Sequence, residues 1–282
     1  MICFGPSGND DLFYEQGFKS SVDVFAWLNK MGLDLYEYSF GRGILLKDET
    51  ALEFAEKAKE SNIKISVHAP YFVNLANPDE TSILKSFAYI DNSLKKLLLM
   101  GGKKCVVHIG SCMKMPREIA LQNVKNNLQK FMEYFDKEYK DNDIYVCPET
   151  MGKYQQIGTY EEIIDLCALH KNLIPTLDFG HINSVMQGGL DYEQYKKIIE
   201  YMIAKLGYDK AKMVHIHFSK IEYASKGEVR HLTLDDTKYG PDFEPLARLL
   251  KEYKLDETTI ICESKNIMAQ DARKLKDIFN AV

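Results

Sequence analysis

The chain has 282 residues, of which 45% are hydrophobic and 27% charged, and its formal net charge is −5. This length suits one large α/β barrel of roughly 250 residues. The acidic balance excludes a globally basic surface for nucleic acid, so a nucleic-acid ligand would need a local cationic groove or bound metal ions. No run approaches about 18 apolar residues, and the N-terminus lacks the pattern of a secretory signal, so we expect neither a membrane span nor export. The six cysteines are scattered without a CxxC pair. Four of them lie in apolar strand-like runs, which indicates buried free thiols and a reducing cytoplasm: Cys3, Cys105, Cys147 and Cys262.

Strand-like and helix-like segments alternate along the whole chain. The eight strand candidates are residues 1–4, 33–40, 64–68, 103–108, 144–149, 173–178, 212–217 and 258–263. Several are continuous apolar runs, which is typical of parallel strands covered on both faces. The segments between them carry apolar residues at three- and four-residue steps, as in 81–100, and Thr159 to Glu162 forms a capping box.

Eight such units predict a (β/α)8 TIM barrel, an α/β fold that forms a single domain over residues 1–282. An open doubly wound sheet is the alternative, but it gives no reason for side chains from six strands to converge. The longest irregular stretch is 219–242, after the seventh strand. A long loop at a barrel mouth is often functional.

Potential metal ligands stand at the carboxyl end of six predicted strands, where a barrel builds its active site. These candidates, with one further histidine in the 219–242 loop, are His68, His108, Glu149, Asp178, His181, His215, Glu263 and His231. Each histidine alone is more often a hydrogen-bonded core residue, and each acid could form a salt bridge. Together they would line one mouth with imidazoles and carboxylates, the ligands of zinc and related ions, and this predicts a metal centre.

These residues lie in short motifs that resemble the endonuclease IV family of apurinic/apyrimidinic endonucleases. The motifs are HAPYFVNL at 68–75, HIGS at 108–111, ET at 149–150, DFGH at 178–181, HIHFSK at 215–220, RH at 230–231 and CE at 262–263. The likeness covers nearly the full chain, in the family's order and spacing. It implies a (β/α)8 barrel with a zinc centre that cuts DNA 5′ to an abasic site, by attack of a metal-activated water.

The resemblance also implies which residues bind each ion. His68, His108 and Glu149 would hold the first zinc. The second would be held by Glu149, Asp178, His215 and Glu263, with Glu149 bridging, while His181 and His231 would belong to the third. Glu149 and Glu263 are the expected catalytic residues, since Glu263 could orient the water as well as ligate. We expect two or three Zn2+ per chain, with Mn2+ as the alternative ion.

The chain departs from the family pattern around the third metal and the DNA-binding loops. Where the family has Asp-x-His, this chain has Val229-Arg230-His231, and valine cannot bind a metal ion. Glu228, Asp235 or Asp236 could substitute for the missing carboxylate. In the seventh strand, His217 follows His215 where the family carries Asn-Asp. We expect His217 to bind substrate or to serve as an extra ligand.

Three residues in mouth loops are candidates for contact with DNA. Tyr71 and Phe72 follow His68 and could wedge into a duplex or stack on bases, although both could instead pack under their loop. Arg42 follows the second strand and could meet a phosphate, although a solvated loop arginine is the plain alternative.

A second function class fits part of the same residues. Xylose isomerase-like barrels that isomerise or epimerise small sugars use a Glu, Asp, His, Glu quartet around one metal ion. Glu149, Asp178, His215 and Glu263 satisfy that quartet equally well, whereas His68 and His108 favour the nuclease. A metal-binding barrel without catalysis is a third interpretation. The expected partner is therefore DNA containing abasic sites, or a small sugar in the alternative, with no membrane and no obligate protein partner.

Overall fold

The structure is a computed structural model that describes all residues, Met1–Val282. Its strands are β1 (Cys3–Pro6), β2 (Leu35–Ser39), β3 (Lys64–His68), β4 (Lys104–Val107), β5 (Tyr145–Pro148), β6 (Thr176–Asp178), β7 (His215–Phe218), β8 (Ile221–Ala224), β9 (Gly227–His231) and β10 (Thr259–Cys262). Its helices are α1 (Asp11–Glu15), α2 (Val24–Lys30), α3 (Asp48–Glu60), α4 (Glu80–Leu99), α5 (Arg117–Glu138), α6 (Tyr160–Cys167), α7 (Phe179–Val185), α8 (Tyr192–Leu206), α9 (Tyr208–Ala211), α10 (Glu244–Glu252) and α11 (Met268–Ala281). None of these helices has the length and apolar character needed to cross a bilayer.

Eight parallel strands close into a barrel. They form two ladders, in the orders β1-β10-β7-β6 and β2-β3-β4-β5. Parallel bridges join the ladders at both seams, from Ser7 to Glu37 between β1 and β2, and from Glu149 to Thr176 between β5 and β6. Each predicted strand overlaps one of these eight, so the predicted (β/α)8 TIM barrel fold is confirmed.

The stretch 219–242 was expected to be irregular, but part of it is an antiparallel hairpin of β8 and β9. Gly227 makes this hairpin possible, because its φ is 101° and a Cβ there would lie 2.1 Å from the carbonyl oxygen of Gly152. The close approach fixes the hairpin against the loop after β5. The strand pairing places His231, the last residue of β9, opposite Ile221 at the barrel mouth.

The apolar residues are divided between two regions by the alternation of side chains along each strand. One region is a core cluster of 66 buried residues that includes the apolar faces of the helices. The interior of the barrel holds two small apolar clusters, which consist of Cys3, Leu35 and Ile261, and of Val106, Cys147 and Ile174. Next to these clusters the barrel interior is polar, and this polar interior leads to the mouth.

Candidate metal centre

The carboxyl ends of the strands bring imidazoles and carboxylates together at one mouth of the barrel. In each of three groups the potential ligand atoms lie within 4.8 Å of one another. We call them the His108 group (His68, His108, Glu149), the His217 group (Glu149, Asp178, His217, Glu263) and the Glu228 group (His181, Glu228, His231). The first two groups share Glu149. Coordination by these residues stays a prediction, but their proximity is a property of the fold.

The His108 group lies at the ends of β3, β4 and β5. Nε2 of His68 and Nε2 of His108 are 3.2 Å and 2.9 Å from Oε2 of Glu149. Nδ1 of His68 lies 2.8 Å from the carbonyl oxygen of Ala69, which can only accept a hydrogen bond. When the ring is neutral, Nδ1 of His68 therefore keeps its proton, and Nε2 is the nitrogen that can offer a lone pair to a metal ion. Metal-binding histidines commonly use the second ring nitrogen in this way.

The His217 group is almost fully buried and contains polar atoms without hydrogen-bond partners. Nδ1 of His217 lies 2.9 Å from Oε1 of Glu149 and 3.5 Å from Oε1 of Glu263. Neither ring nitrogen of His217 forms a hydrogen bond of good geometry, and Oδ2 of buried Asp178 has no partner either. Buried polar groups are almost always satisfied. A cation between these side chains would satisfy Nδ1 and Oδ2 together, so the residues fit a metal ion.

The structure places His217, and not His215, in this group. The two histidines point into the barrel from the same strand, but His215 lies one layer deeper. Its Nε2 is 2.9 Å from Oε2 of Glu37, and its Nδ1 is 2.7 Å from Oγ1 of Thr259. The motif resemblance had assigned His215 to this group, two residues earlier on the strand. A shift of two residues keeps the direction of the side chain but changes its depth in the barrel. We had expected His217 to bind substrate or to serve as an extra ligand. Its side chain is 0% exposed and too deep for a substrate, so its position agrees with the second expectation.

The Glu228 group contains a carboxylate beside Val229, where this chain lacks the aspartate of the family motif. Oε2 of Glu228 is 3.5 Å from Nε2 of His181, and its Oε1 is 3.7 Å from Nε2 of His231. The other ring nitrogens contact protein oxygens, since Nδ1 of His181 is 3.0 Å from the carbonyl oxygen of Thr150 and Nδ1 of His231 is 2.8 Å from Oγ of Ser219. The side chain of Val229 is 54% exposed and takes no part.

Gly152 allows His181 and Glu228 to approach each other. A Cβ on Gly152 would lie 2.7 Å from Cδ2 of His181 and 2.8 Å from Cβ of Glu228, both closer than real contacts. The carbonyl oxygen of Gly152 also accepts a hydrogen bond from the backbone N–H of Glu228, at 2.8 Å. This residue therefore both makes room for the side chain of Glu228 and holds its backbone in place.

The buried acids give the mouth a strong preference for positive charge. Burial by itself lowers the pKa of His68 and His181. The nearby acids outweigh it, because Glu149 stabilises the charged form of His68 and Asp178 that of His181, and each pKa rises to about 9. Burial raises the pKa of Asp178, and the charge of His181 offsets this only in part. In the protein without metal ions, protons on the imidazoles therefore balance the negative charge of the acids. Divalent ions would supply the same charge and displace those protons.

Glu37 is a buried residue of this region that sequence reasoning missed. It lies in the middle of β2 and is 0% exposed. Burial opposes its ionisation, but the charge of His217 and the hydrogen bond from His215 hold the pKa of Glu37 well below its usual range. The available signal was an acid inside the apolar run Leu35-Tyr36-Glu37-Tyr38, because such a carboxylate needs buried donors.

Arg42, Tyr71 and Phe72 lie together on the rim of the mouth. Nε of Arg42 donates a hydrogen bond of 2.8 Å to the hydroxyl of Tyr71. The rings of Tyr71 and Phe72 are 4.7 Å apart, and they are 45% and 50% exposed. These aromatic rings are therefore not buried under their loop, and half of each is available to a ligand.

Known protein families include one whose model matches most of the chain. The model of a family described as xylose isomerase-like TIM barrel matches residues 25–278. An uncharacterized protein of Methanocaldococcus jannaschii is 33% identical, over 99% of this chain and 97% of that protein. A probable endonuclease 4 of Malacoplasma penetrans is 29% identical, over 70% of this chain and 67% of that protein.

Solved structures with the same fold include enzymes of two kinds. Endonuclease IV from Thermus thermophilus superposes with a TM-score of 0.72 at 20% identity, over 100% of this chain and 99% of that one. D-psicose 3-epimerase from Clostridium cellulolyticum superposes with a TM-score of 0.71 at 14% identity, over 99% of both chains. Likeness at this level of identity establishes the fold alone, so the choice of reaction depends on the side chains at the mouth.

Proposed function

The chain belongs to the xylose isomerase-like TIM barrel family, and on that premise we propose that it is a metal-dependent phosphodiesterase of the endonuclease IV type. It would cleave DNA on the 5′ side of an abasic site. The observation that supports this proposal is the presence of three adjoining ligand groups at one mouth. A reaction on a small sugar around one ion would need only the His217 group, and would leave the imidazoles of His68 and His108 without a role.

Each ligand group would hold one ion, with Glu149 between the first two. Oε2 of Glu149 faces His68 and His108, whereas Oε1 faces His217, so its two oxygens serve different groups. Mixed imidazole and carboxylate ligands suit Zn2+, the ion that we propose, and Mn2+ is the alternative. When bound, such ions supply Lewis acidity and offset the negative charge on a reacting phosphodiester.

The protein's own residues would orient the reacting groups. Glu263 is the acid of the His217 group that reaches solvent, with a side chain 18% exposed, so it can accept a hydrogen bond from the attacking water. Glu149 has a side chain only 1% exposed and can hold the first two ligand groups at a fixed separation. These are the catalytic roles that we propose for the two glutamates.

The rim would hold the DNA. Phe72 and Tyr71 would stack on bases or enter the duplex at the abasic gap, and Arg42 would meet a phosphate. A further cavity of about 430 Å³ opens beside His231 and Glu263, and Arg230 and Lys265 are among the residues that line it. Cations next to the ligand groups suit a phosphate backbone and compensate locally for the chain's acidic balance. All six cysteines are buried and free, which fits the cytoplasmic location that we include in this proposal.

Incision of an abasic-site duplex by metal-analysed protein tests the function. We expect cleavage 5′ to the lesion, its loss on chelation, and its recovery when Zn2+ is restored. His108→Ala should abolish incision and remove one ion, while His170→Ala is a matched control because that histidine bonds Asp136 away from the mouth. Full incision by the His108→Ala variant would contradict the assignment.

A sugar epimerase is the second candidate, because the His217 group alone provides the one-metal quartet of such enzymes. The two candidates differ in what they need from His68 and His108. The double variant His68→Ala/His108→Ala keeps Asp178, His217 and Glu263 and should keep most epimerase activity while losing nuclease activity. Interconversion of D-psicose and D-fructose by a protein with one bound ion would favour the epimerase.

A further inference from the structure

Below the metal centre, a carboxylate stands where several buried donors meet. Oε2 of Glu37 is 2.7 Å from Oγ of Ser66 and 2.9 Å from Nε2 of His215. Its other oxygen, Oε1, is 3.0 Å from Nε2 of His217. Ser66 pairs with Glu37 across β2 and β3, so the ladder sets this contact. Glu37, His215 and His217 are all 0% exposed.

A chain of hydrogen bonds determines which nitrogen of His215 carries the proton. Nζ of Lys104 donates to Oγ1 of Thr259 at 2.7 Å, which leaves the hydroxyl of Thr259 free to donate to Nδ1 of His215, 2.7 Å away. Nε2 of His215 then carries its proton and donates to Glu37. With Ser66 as the second donor, Oε2 of Glu37 is saturated. Oε1 is left to accept from His217, since an ionised carboxylate can only accept.

We propose that Glu37 is a positioning residue that accepts the Nε2–H of His217 and so presents the Nδ1 lone pair of that ring to the ion in the His217 group. This inference rests on the proposed metal centre, and it adds a residue outside the ligand groups. Oε1 of Glu37 and Nε2 of His217 are 3.0 Å apart, although the angle is too bent for a good hydrogen bond and neither atom has another partner. A small rotation of the ring about its attachment, as Nδ1 engages an ion, would straighten this contact.

The same side chains fit a supporting role better than a separate cation site. His215 can offer Glu37 only a proton, because its Nδ1 already receives the hydroxyl of Thr259 and its Nε2 therefore cannot bind a metal. Nδ1 of His217, in contrast, faces Glu149 and Glu263 at the mouth. A carboxylate that fixes the ring of a metal-bound histidine typically contributes roughly 10–100-fold to metal affinity.

Glu37→Gln tests the proposal without changing the size of the side chain. A glutamine that turns its NH₂ toward His217 would place the ring proton on Nδ1, where it blocks the ion. We expect Zn2+ affinity of the His217 group, measured by competition with a chromophoric chelator, to fall roughly 10–100-fold. The absorption spectrum of Co2+ in that group should change, while the ion of the His108 group keeps its affinity.

Two further variants separate positioning from general damage. Asp10→Asn alters another buried carboxylate, one that accepts from the backbone of Phe13 and Ala269, and it should lower stability without changing either metal affinity or spectrum. Glu37→Asp keeps the negative charge but moves it away from His217, so it should lower the affinity of the His217 group for its ion. This variant therefore tests the proposal even if Glu37→Gln does not fold. Wild-type Zn2+ affinity and Co2+ spectrum in a folded Glu37 variant would overturn the proposal. If the wild-type protein binds this ion but does not incise DNA, the proposed function fails while the role of Glu37 stands.

Discussion

Nδ1 of His217 lies 2.9 Å from Oε1 of Glu149, whereas His215, two residues earlier on β7, contacts Glu37 one layer below. The two histidines should therefore respond differently to substitution. We expect His217→Ala to lose the ion of the His217 group and its activity. His215→Ala should keep full metal content at saturating Zn2+, with a smaller loss of affinity. Metal analysis after gel filtration measures this difference, and equal loss of metal in both variants would contradict the assignment.

The fold could be predicted from the sequence because its signals are local and repeated. Eight apolar runs, separated by helical periodicity, match the eight barrel strands in number and order. The β8–β9 hairpin escaped prediction because its strands are short and half exposed, and its turn depends on the contact of Gly227 with Gly152. That contact joins residues far apart in sequence, which no local pattern records.

The site was predictable in residue type but not in depth. Strand ends identified His68, His108, Glu149 and Asp178, and these residues do meet at the mouth. The alternation of side chains along a strand could not distinguish His215 from His217, because residues two apart point to the same face. It depends instead on the stagger of β7 against its neighbours, which is a property of the closed barrel.

Gly152→Ala should disturb the Glu228 group alone. The added methyl group would lie 2.7 Å from Cδ2 of His181 and 2.8 Å from Cβ of Glu228, so the two side chains must separate. We expect one ion fewer per chain or roughly 10-fold weaker binding of that ion, with the others retained. Metal titration followed by calorimetry measures it. Gly43→Ala is the control, because a methyl group there meets nothing within 4 Å. Unchanged occupancy in Gly152→Ala would mean that Glu228 does not ligate.

Arg42→Ala should weaken DNA binding and leave metal content unchanged. Arg42 is exposed at the rim and contacts the protein through the hydroxyl of Tyr71, so its loss does not reach the ligand groups. Removal of one phosphate contact should reduce the salt dependence of binding by about one unit of slope. Fluorescence anisotropy with an abasic duplex over a salt series measures this slope. Arg248→Ala, on α10, is the control, and a loss of metal in Arg42→Ala would show that its role is different.

Lys104 should make stability depend on pH above about 8. Burial lowers the pKa of Lys104 from 10.5 to about 8. Below pH 8 the folded protein carries the full cost of a buried charge. Between pH 8 and 10.5 the folded state releases a proton that the unfolded state keeps, so stability rises with pH. The free energy of unfolding of the wild type, relative to Lys104→Met, should therefore increase over this window by on the order of 3 kcal/mol.

Urea titrations at several pH values measure this difference, and Lys125→Met, on the exposed side of α5, corrects for the loss of one lysine. A difference that falls as pH rises would mean that hydrogen bonds to Thr259 and Met213 stabilise the charged amine more than burial opposes it.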